Sequence, residues 1–301
     1  MSGHGKPCPY NWKATDPPMP AQILDGKETA KQVRREVKAA VEELQARGVH
    51  PGLAAVLVGD NPASEVYVSA KQKACEKAGI VSWLHRLPAT AATAEVVALI
   101  EALNAQAEVH GILVQLPLPK GINTEAVIDS ISPDKDVDGV TAASFGRLLL
   151  GRDTFVSATA GGMMELLRRY EIPIAGKRAV VVGRSNIVGK PMAILLMHAN
   201  ATVTICHSKT ADLPGVCREA DILVAALNQP EMLDKTFVRP GAVVLDAGYS
   251  RPPGRQGDVG DVNTASAAEV AAWITPVPGG VGPMTIATLL MNTLKVASRE
   301  P

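Results

Sequence analysis

Residues 178–192 read RAVVVGRSNIVGKPM, in which an apolar run leads through a glycine loop into a helical pattern. Three more apolar runs follow along the chain: ATVTIC (201–206), DILVAAL (221–227) and AVVLDAG (242–248). Runs of Val, Ile and Leu that alternate with helices indicate parallel strands in a sheet covered on both faces. This half of the chain is therefore predicted to form a Rossmann-like, doubly wound α/β domain of the kind that binds nucleotides.

The first half of the chain shows the same alternation. Apolar runs are present at 53–59, 81–87 and 111–116, with helical patterns between them. The helix after the first run has clear start signals, because Asn61 is a good N-cap residue and Pro62 suits the first helical position. We expect a second α/β unit here.

The length of 301 residues corresponds to about two domains at roughly 150 residues each. We expect an N-terminal α/β catalytic domain over 21–157, completed by the C-terminal helix within 281–301. The Rossmann-like domain is expected over 158–280, and the cleft between the two domains is the default active site. Residues 1–20 hold five of the 22 prolines and are predicted to form a flexible extension.

Composition narrows the class of protein. Thirty Lys and Arg residues balance 30 Asp and Glu residues, so no net basic field attracts nucleic acid or an anionic membrane. The fractions of 47% hydrophobic and 20% charged residues are typical of a soluble globular protein. The four cysteines show neither metal-ligand spacing nor the density of secreted domains, which favours the cytoplasm.

The glycine loop is the candidate nucleotide site. Gly183 and Gly189 bracket a loop that opens a helix, where backbone amides favour phosphate, although the G-x-G-x-x-G and Walker patterns are absent. After the next strand, Ser208 and Lys209 stand where NAD-preferring sites usually place a carboxylate. Together with Arg184 they could pair with a 2′-phosphate, so NADP is favoured over NAD. The alternative is that Arg184 and Lys209 are solvated surface charges.

Four polar residues are candidates for catalysis. Tyr67 and Lys71 are four residues apart and share a helix face, a pattern that also fits a packed ring beside an extended lysine. Gln115 ends a strand that should be buried, where it could contact a ligand or satisfy nearby backbone. Asp138 lies in the loop PDKDVDG and could accept hydrogen bonds from a heterocycle or cap a helix. No metal site is predicted.

Six segments give the chain a family resemblance. In order and spacing, from about Ile23 to Lys295, the sequence resembles the bifunctional methylenetetrahydrofolate dehydrogenase/methenyltetrahydrofolate cyclohydrolase family. The segments that carry the resemblance are YVSAKQKACE (67–76), GILVQLPLP (111–119), DKDVDG (134–139), VVVGRSNIVGKPM (180–192), HSKT (207–210) and ITPVPGGVGPMT (274–285).

The resemblance implies a chemistry and a set of roles. Members oxidise 5,10-methylenetetrahydrofolate with NADP and then hydrate the methenyl product to 10-formyltetrahydrofolate in one cleft. It implies that Lys71 is the general acid/base, held in position by Gln115, that Tyr67 stacks on the folate, and that Asp138 binds the amino edge of the pterin. The implied contacts to the NADP 2′-phosphate and to folate are Arg184, Ser185 and Ser208, and Gly279, Gly280, Val281 and Pro283. A cytoplasmic homodimer is expected.

Three segments depart from the family pattern. The chain has Ser-Ala-Thr-Ala at 157–160 where Pro-Cys-Thr-Pro is usual, Leu-Asn at 227–228 for Thr-Gly, and Tyr-Ser at 249–250 for Ile-Asn. All three lie on or near the cofactor side. They leave open a specialised paralogue with one activity, either a cyclohydrolase or an NAD-dependent dehydrogenase, and a folate-binding protein without turnover.

Overall fold

A computed structural model describes residues 21–252, 254 and 257–299. The extension predicted over 1–20 lies outside the described residues. Nine strands are present in this part of the chain: β1 (Gln22–Ile23), β2 (Gly52–Val58), β3 (Val81–Leu87), β4 (Gly111–Val114), β5 (Arg178–Val182), β6 (Thr202–Cys206), β7 (Ile222–Ala225), β8 (Val243–Asp246) and β9 (Trp273–Ile274).

Ten α-helices surround the strands in the same ranges: α1 (Gly26–Ala46), α2 (Pro62–Ala78), α3 (Thr93–Ala105), α4 (Thr124–Asp129), α5 (Ala142–Leu149), α6 (Ala158–Arg169), α7 (Gly189–His198), α8 (Leu213–Cys217), α9 (Thr264–Ala267) and α10 (Val281–Ala297). A single 3-10 turn covers Lys235–Phe237.

The strands form two fully parallel sheets, which confirms the predicted α/β architecture. The smaller sheet has the order β3-β2-β4, and the larger has the order β1-β9-β8-β7-β5-β6. All seven residues of β2 are buried, as expected for the central strand of a covered parallel sheet. Within the larger sheet β5 lies between β6 and β7, so the loops after these three strands meet at one edge.

Helix boundaries follow from local sequence chemistry. Helix α2 begins where predicted, because the Asn61 side chain accepts hydrogen bonds from the backbone N–H groups of Ala63 and Ser64. Gly79 ends the helix in a left-handed conformation with φ of 77°. Helix α8 begins at Leu213, because Pro214 suits its first turn and Asp212 precedes it in a left-handed conformation.

The C-terminal helix joins the two sheets. Helix α10 packs against α1, α6 and α2 and reaches β2 and β4 of the smaller sheet. One apolar core therefore includes Leu53 and Leu57 of β2, Leu290 of α10, and Val181 and Val224 of the larger sheet. The short strand β1 also crosses between the units, because it pairs with β9. In the described ranges, no helix is long and apolar enough to cross a membrane.

Candidate active site

Helix α2 places a lysine at the boundary between the cleft and the core. Tyr67, Lys71 and Cys75 follow one another at intervals of one helical turn and share one face. Tyr67 is 46% exposed at one end of this stripe, and Cys75 is fully buried at the other. Lys71 lies between them, and burial lowers the pKa of its amine.

Gln115 meets this lysine from the neighbouring sheet. The residue follows β4, and its backbone N–H donates to the carbonyl of Val56 in β2. Its side-chain Nε2 donates to the carbonyl of Leu116 at 2.8 Å, which fixes the orientation of the amide. The remaining oxygen, Oε1, accepts a hydrogen bond from Lys71 Nζ at 3.1 Å. The amide thereby holds the lysine amine in one place.

Asp138 supplies a negative charge to the same place. The residue is half-buried, and desolvation of its carboxyl group raises its pKa to about 6, against a smaller lowering by Lys71. The nearby Asp136 raises that pKa further, and the backbone N–H of Ala158 favours the carboxylate. The charge of Asp138 in turn opposes the lowering of the Lys71 pKa. A carboxyl group and an amine whose pKa values approach each other are suited to proton transfer.

A glycine turn leads into α10 and packs against the start of α1. Gly279 has φ of 112°, and its carbonyl accepts a hydrogen bond from the backbone N–H of Lys27 at 2.8 Å. Gly280 lies against Gly26, where an added Cβ would be 1.7 Å from the Gly280 carbonyl oxygen. Val281 is buried and Pro283 lies in the first turn of α10. Helix α10, which begins at this turn, also contacts α2.

The predicted nucleotide loop lies at the end of β5. Gly183 has φ of 129°, and a Cβ there would be 2.1 Å from the Ala226 carbonyl oxygen. A Cβ at Gly189 would be 2.2 Å from the Gly183 carbonyl oxygen, so the loop requires both glycines. The Ser185 hydroxyl oxygen accepts hydrogen bonds from the N–H groups of Val188 and Gly189 at the start of α7. This glycine cradle has no side chain at either position, which lets its backbone approach a phosphate closely.

Hydrogen-bond donors surround the cradle. Arg184 follows Gly183, and Ser208 and Lys209 follow β6, whose last residue Cys206 is paired with Val182 of β5. All three side chains are exposed at the same edge of the sheet. A guanidinium, a hydroxyl and an ammonium group around a glycine cradle fit a phosphorylated dinucleotide. Within the described residues, no group of three or more His, Cys, Asp or Glu could hold a metal ion.

The structure also reveals polar residues that sequence reasoning missed. Ser157 is buried, and its hydroxyl donates to the carbonyl of Ile187 in the nucleotide loop. Asp246 and Asp261 are buried beside the loop that follows β7. The glycines at 248 and 260 give a weak signal for these carboxylates, because they leave room for them.

Comparison with known proteins identifies the family of this chain. The profile described as the catalytic domain of tetrahydrofolate dehydrogenase/cyclohydrolase matches residues 24–138, and that of the NAD(P)-binding domain matches 157–301. The chain belongs to the tetrahydrofolate dehydrogenase/cyclohydrolase family. A relative in this family, the bifunctional protein FolD of Moorella thermoacetica, is 56% identical over 281 residues, which cover 93% of this chain and 100% of the relative.

Solved structures of the tetrahydrofolate dehydrogenase/cyclohydrolase family agree with this fold. The bifunctional enzyme FolD of Campylobacter jejuni is 45% identical with a TM-score of 0.91, covering 92% of this chain and 98% of that one. The Trypanosoma brucei enzyme, solved with NADP cofactor and an inhibitor, is 38% identical with a TM-score of 0.89, covering 93% and 98%.

Proposed function

We propose that this chain oxidises 5,10-methylenetetrahydrofolate to 5,10-methenyltetrahydrofolate with NADP and hydrolyses the product to 10-formyltetrahydrofolate in the same cleft. The observation that carries the proposal is the hydrogen bond between Lys71 Nζ and Gln115 Oε1 beside Asp138, in a chain of this family. A buried amine without a nucleophilic triad suits proton transfer during hydration better than covalent catalysis.

For the oxidation, the chain holds and orients the two reactants. NADP accepts a hydride when it is bound, and this is the chemistry that the cofactor supplies. The cradle of Gly183 and Gly189 would receive the phosphates, and the donors around the 2′-phosphate would be Arg184, Ser185, Ser208 and Lys209. Tyr67 would pack on the flat ring system of the folate. Its exposed face is free for such contact, since 46% of the residue is accessible.

Folate recognition uses charge and shape. Asp138 would accept hydrogen bonds from the amino edge of the pterin, which suits a carboxylate held inside the protein. The turn formed by Gly279, Gly280, Val281 and Pro283 would close the other side of the substrate. Its glycines allow the backbone to approach a ring closely.

For the hydrolysis, Lys71 would work first as a base and then as an acid. Its neutral amine takes a proton from a water molecule while the water oxygen bonds to the methenyl carbon. The ammonium group then returns the proton to the ring nitrogen as the bond between that nitrogen and the carbon breaks, and the remaining hydroxyl proton leaves to solvent as the formyl C=O forms. Gln115 Oε1 accepts an N–H of the amine, so the lone pair is directed away from Gln115.

A second candidate is a paralogue that has lost one activity or uses NAD, as the changes at 157–160, 227–228 and 249–250 suggested. One observation favours retention of both activities. Asn228 adopts a left-handed conformation with φ of 56°, which Asn tolerates better than most residues other than glycine. The backbone path that glycine provides at this position is thus available to the present sequence.

The deciding experiment follows both products in one anaerobic sample. The full chain is given 5,10-methylenetetrahydrofolate with NADP or NAD, and nucleotide reduction and 10-formyl product are measured together. Formation of both products, with NADP preferred, supports the proposal. Hydrolysis of supplied methenyltetrahydrofolate without reduction of either nucleotide indicates a cyclohydrolase, and absence of both reactions refutes the proposal.

We also propose the organisation and setting of the enzyme. The folate domain comprises 21–157 with the helix in 281–301, and the NADP domain comprises 158–280. Two copies would associate through the NADP domain, where β6 is an edge strand and its Ile205 is 43% exposed. Buried free thiols at Cys75, Cys206 and Cys217 fit the cytoplasm, and the balanced charge offers no attraction to nucleic acid or membrane.

A further inference from the structure

A buried carboxylate holds the loop after β7. Asp261 has no exposed surface, and its oxygens accept three consecutive backbone hydrogen bonds. The donors are the N–H groups of Leu227 at 2.6 Å, Asn228 at 3.1 Å and Gln229 at 2.7 Å. One side chain thus fixes three peptide units that belong to neither a helix nor a strand.

A second buried carboxylate stands behind the first. Asp246 ends β8 and is 1% exposed, and its oxygens accept hydrogen bonds from the N–H groups of Gly248, Asp261 and Val262 at 2.8–3.1 Å. Two glycines make the pair sterically acceptable. A Cβ at Gly260 would be 1.9 Å from Asp246 Oδ2, and one at Gly248 would be 2.6 Å from Asp261 Oδ1.

The pair places two carboxyl groups in the interior without a cation, an arrangement that calls for a role. The pKa of Asp246 is raised to about 6, mainly by burial and in smaller part by the nearby Asp261. Neither carboxylate forms an ion pair with a Lys or Arg of the described ranges. Backbone N–H groups alone compensate the buried charge. Buried charge without a cation is a poor way to stabilise a fold but an effective way to fix a backbone path.

The loop that this pair fixes lies against the nucleotide cradle. Residue Ala226 begins the loop, and a Cβ at Gly183 would be 2.1 Å from its carbonyl oxygen. Strands β6 and β7 flank β5 on opposite sides. The donors proposed for the 2′-phosphate lie beside β5 and β6, so the loop after β7 faces the other end of a bound dinucleotide. That end carries the nicotinamide.

We infer that Asp261, held in place by Asp246, is a positioning residue that fixes the loop at 226–229 to receive the nicotinamide half of the cofactor. The inference rests on the proposed NADP-dependent function. It makes a prediction that differs from that for the 2′-phosphate donors, because NAD and NADP share the nicotinamide half. Loss of Asp261 weakens binding of both nucleotides by the same factor.

The test measures nucleotide binding to the full chain without folate. Asp261→Asn keeps the shape of the side chain but replaces one accepting oxygen by an NH₂ group, which faces N–H donors. Calorimetric titration is expected to show Kd values for NADP and NAD that both rise roughly tenfold, with hydrolysis of methenyltetrahydrofolate unchanged. Unchanged Kd values overturn the inference, and so does a parallel loss of hydrolysis by a variant whose circular dichroism spectrum matches that of the wild type.

Asp221→Asn is the matched control. Asp221 lies at the opposite end of β7, where it accepts a hydrogen bond from the backbone N–H of Arg178 at 2.9 Å and pairs with Arg239. Its substitution also removes a carboxylate that binds backbone, but far from the cradle. The Kd values for both nucleotides are expected to stay within about twofold of the wild-type values.

A variant pair on the exposed loop covers failure of Asp261→Asn to fold. Asn228→Val places a β-branched residue at φ of 56° and displaces the loop, whereas Asn228→Gly permits that conformation. Weaker binding of both nucleotides by the valine variant alone supports the inference, and unchanged binding by both variants overturns it. A wild-type chain that binds neither nucleotide refutes the proposed function instead, so the two failures are distinguishable.

Discussion

Lys71 reaches its site because one helix face runs from exposed Tyr67 to buried Cys75. Lys71→Met is expected to lower the turnover number for hydrolysis by 10²-fold or more, since general acid/base groups contribute about 10²–10⁴-fold, while folate binding persists. Steady-state hydrolysis and folate titration measure the two effects. Lys73→Met alters an exposed lysine of the same helix and serves as the control. Full hydrolysis by Lys71→Met would show that the role is misassigned.

The charge of Asp138 sets the working range of this lysine. The carboxylate opposes the lowering of the Lys71 pKa by burial, so its removal lets that pKa fall further. A base works when deprotonated, and hydrolysis therefore rises with pH through the Lys71 pKa. In Asp138→Asn the midpoint of kcat/KM against pH is expected to move to lower pH. A midpoint that stays in place or moves upward contradicts this electrostatic coupling.

Arg184 is the residue that we propose distinguishes NADP from NAD. Its exposed guanidinium beside Gly183 is placed to pair with the phosphate that distinguishes NADP from NAD. Arg184→Ala is expected to raise the KM for NADP about tenfold and to leave that for NAD nearly unchanged. Arg218→Ala, which alters a guanidinium bonded to the Thr236 carbonyl, is the control. Equal changes in both KM values would remove the argument for the 2′-phosphate.

At the scale of elements, the residue that directly precedes α6, here called the hinge, contacts the nucleotide loop at 183–189. The Ser157 hydroxyl donates to the Ile187 carbonyl, a contact that the proline usual in this family cannot make. Ser157→Ala is expected to lower the free energy of unfolding by about 1 kcal/mol, as for a buried neutral hydrogen bond. Urea titration measures the change. Ser298→Ala, at the exposed end of α10, should cost less, and an equal cost would argue against the hinge contact.

The parts of the fold that could be predicted are those specified by patterns of a few neighbouring residues. Seven apolar runs and the caps of α2 identified their elements because the information lies within a few neighbouring residues. The two-residue strands β1 and β9 were missed, since two residues show no periodicity and pair only through the tertiary fold. The start of α8 at Leu213 is not predictable from periodicity, because it depends on the left-handed conformation of Asp212, which no apolar pattern reveals.

The residues of the candidate site also fall into those that local sequence predicts and those that only the tertiary fold reveals. Lys71 and Gln115 could be found from helix spacing and strand position, and the structure brings them within hydrogen-bond distance. Asp261 could not be found, because its partner Leu227 is 34 residues away and contributes only a backbone N–H. The amino-acid sequence alone does not show which backbone N–H group a buried carboxylate will bind.

For the whole molecule, two buried carboxyl groups link stability to pH. The pKa of Asp246 rises from 3.8 to about 6 on folding, so the folded state holds this proton more tightly than the unfolded state. The resulting stabilisation is present below pH 3.8 and is lost as pH rises through about 6. The same direction applies to Asp138.

Asp246→Asn isolates one of these contributions. The free energy of unfolding of the wild type minus that of the variant is expected to decrease by up to about 3 kcal/mol between pH 4 and 7. Urea titrations at several pH values measure this difference. A constant difference in stability between the two proteins does not affect the test. Only the change of that difference with pH reports the proton bound by Asp246. A difference that is flat or rises with pH would contradict the raised pKa of Asp246.

Helix α10 follows the strands of both sheets along the chain, yet it packs against α1, α2 and α6 and completes a core shared by both sheets. The core around the smaller sheet therefore cannot close until residues 281–297 have been synthesised. Until then β2 and its neighbours keep apolar surface uncovered, and such surface makes folding intermediates prone to aggregation. Folding of the smaller sheet is thus coupled to a segment that is synthesised after the whole of the larger sheet.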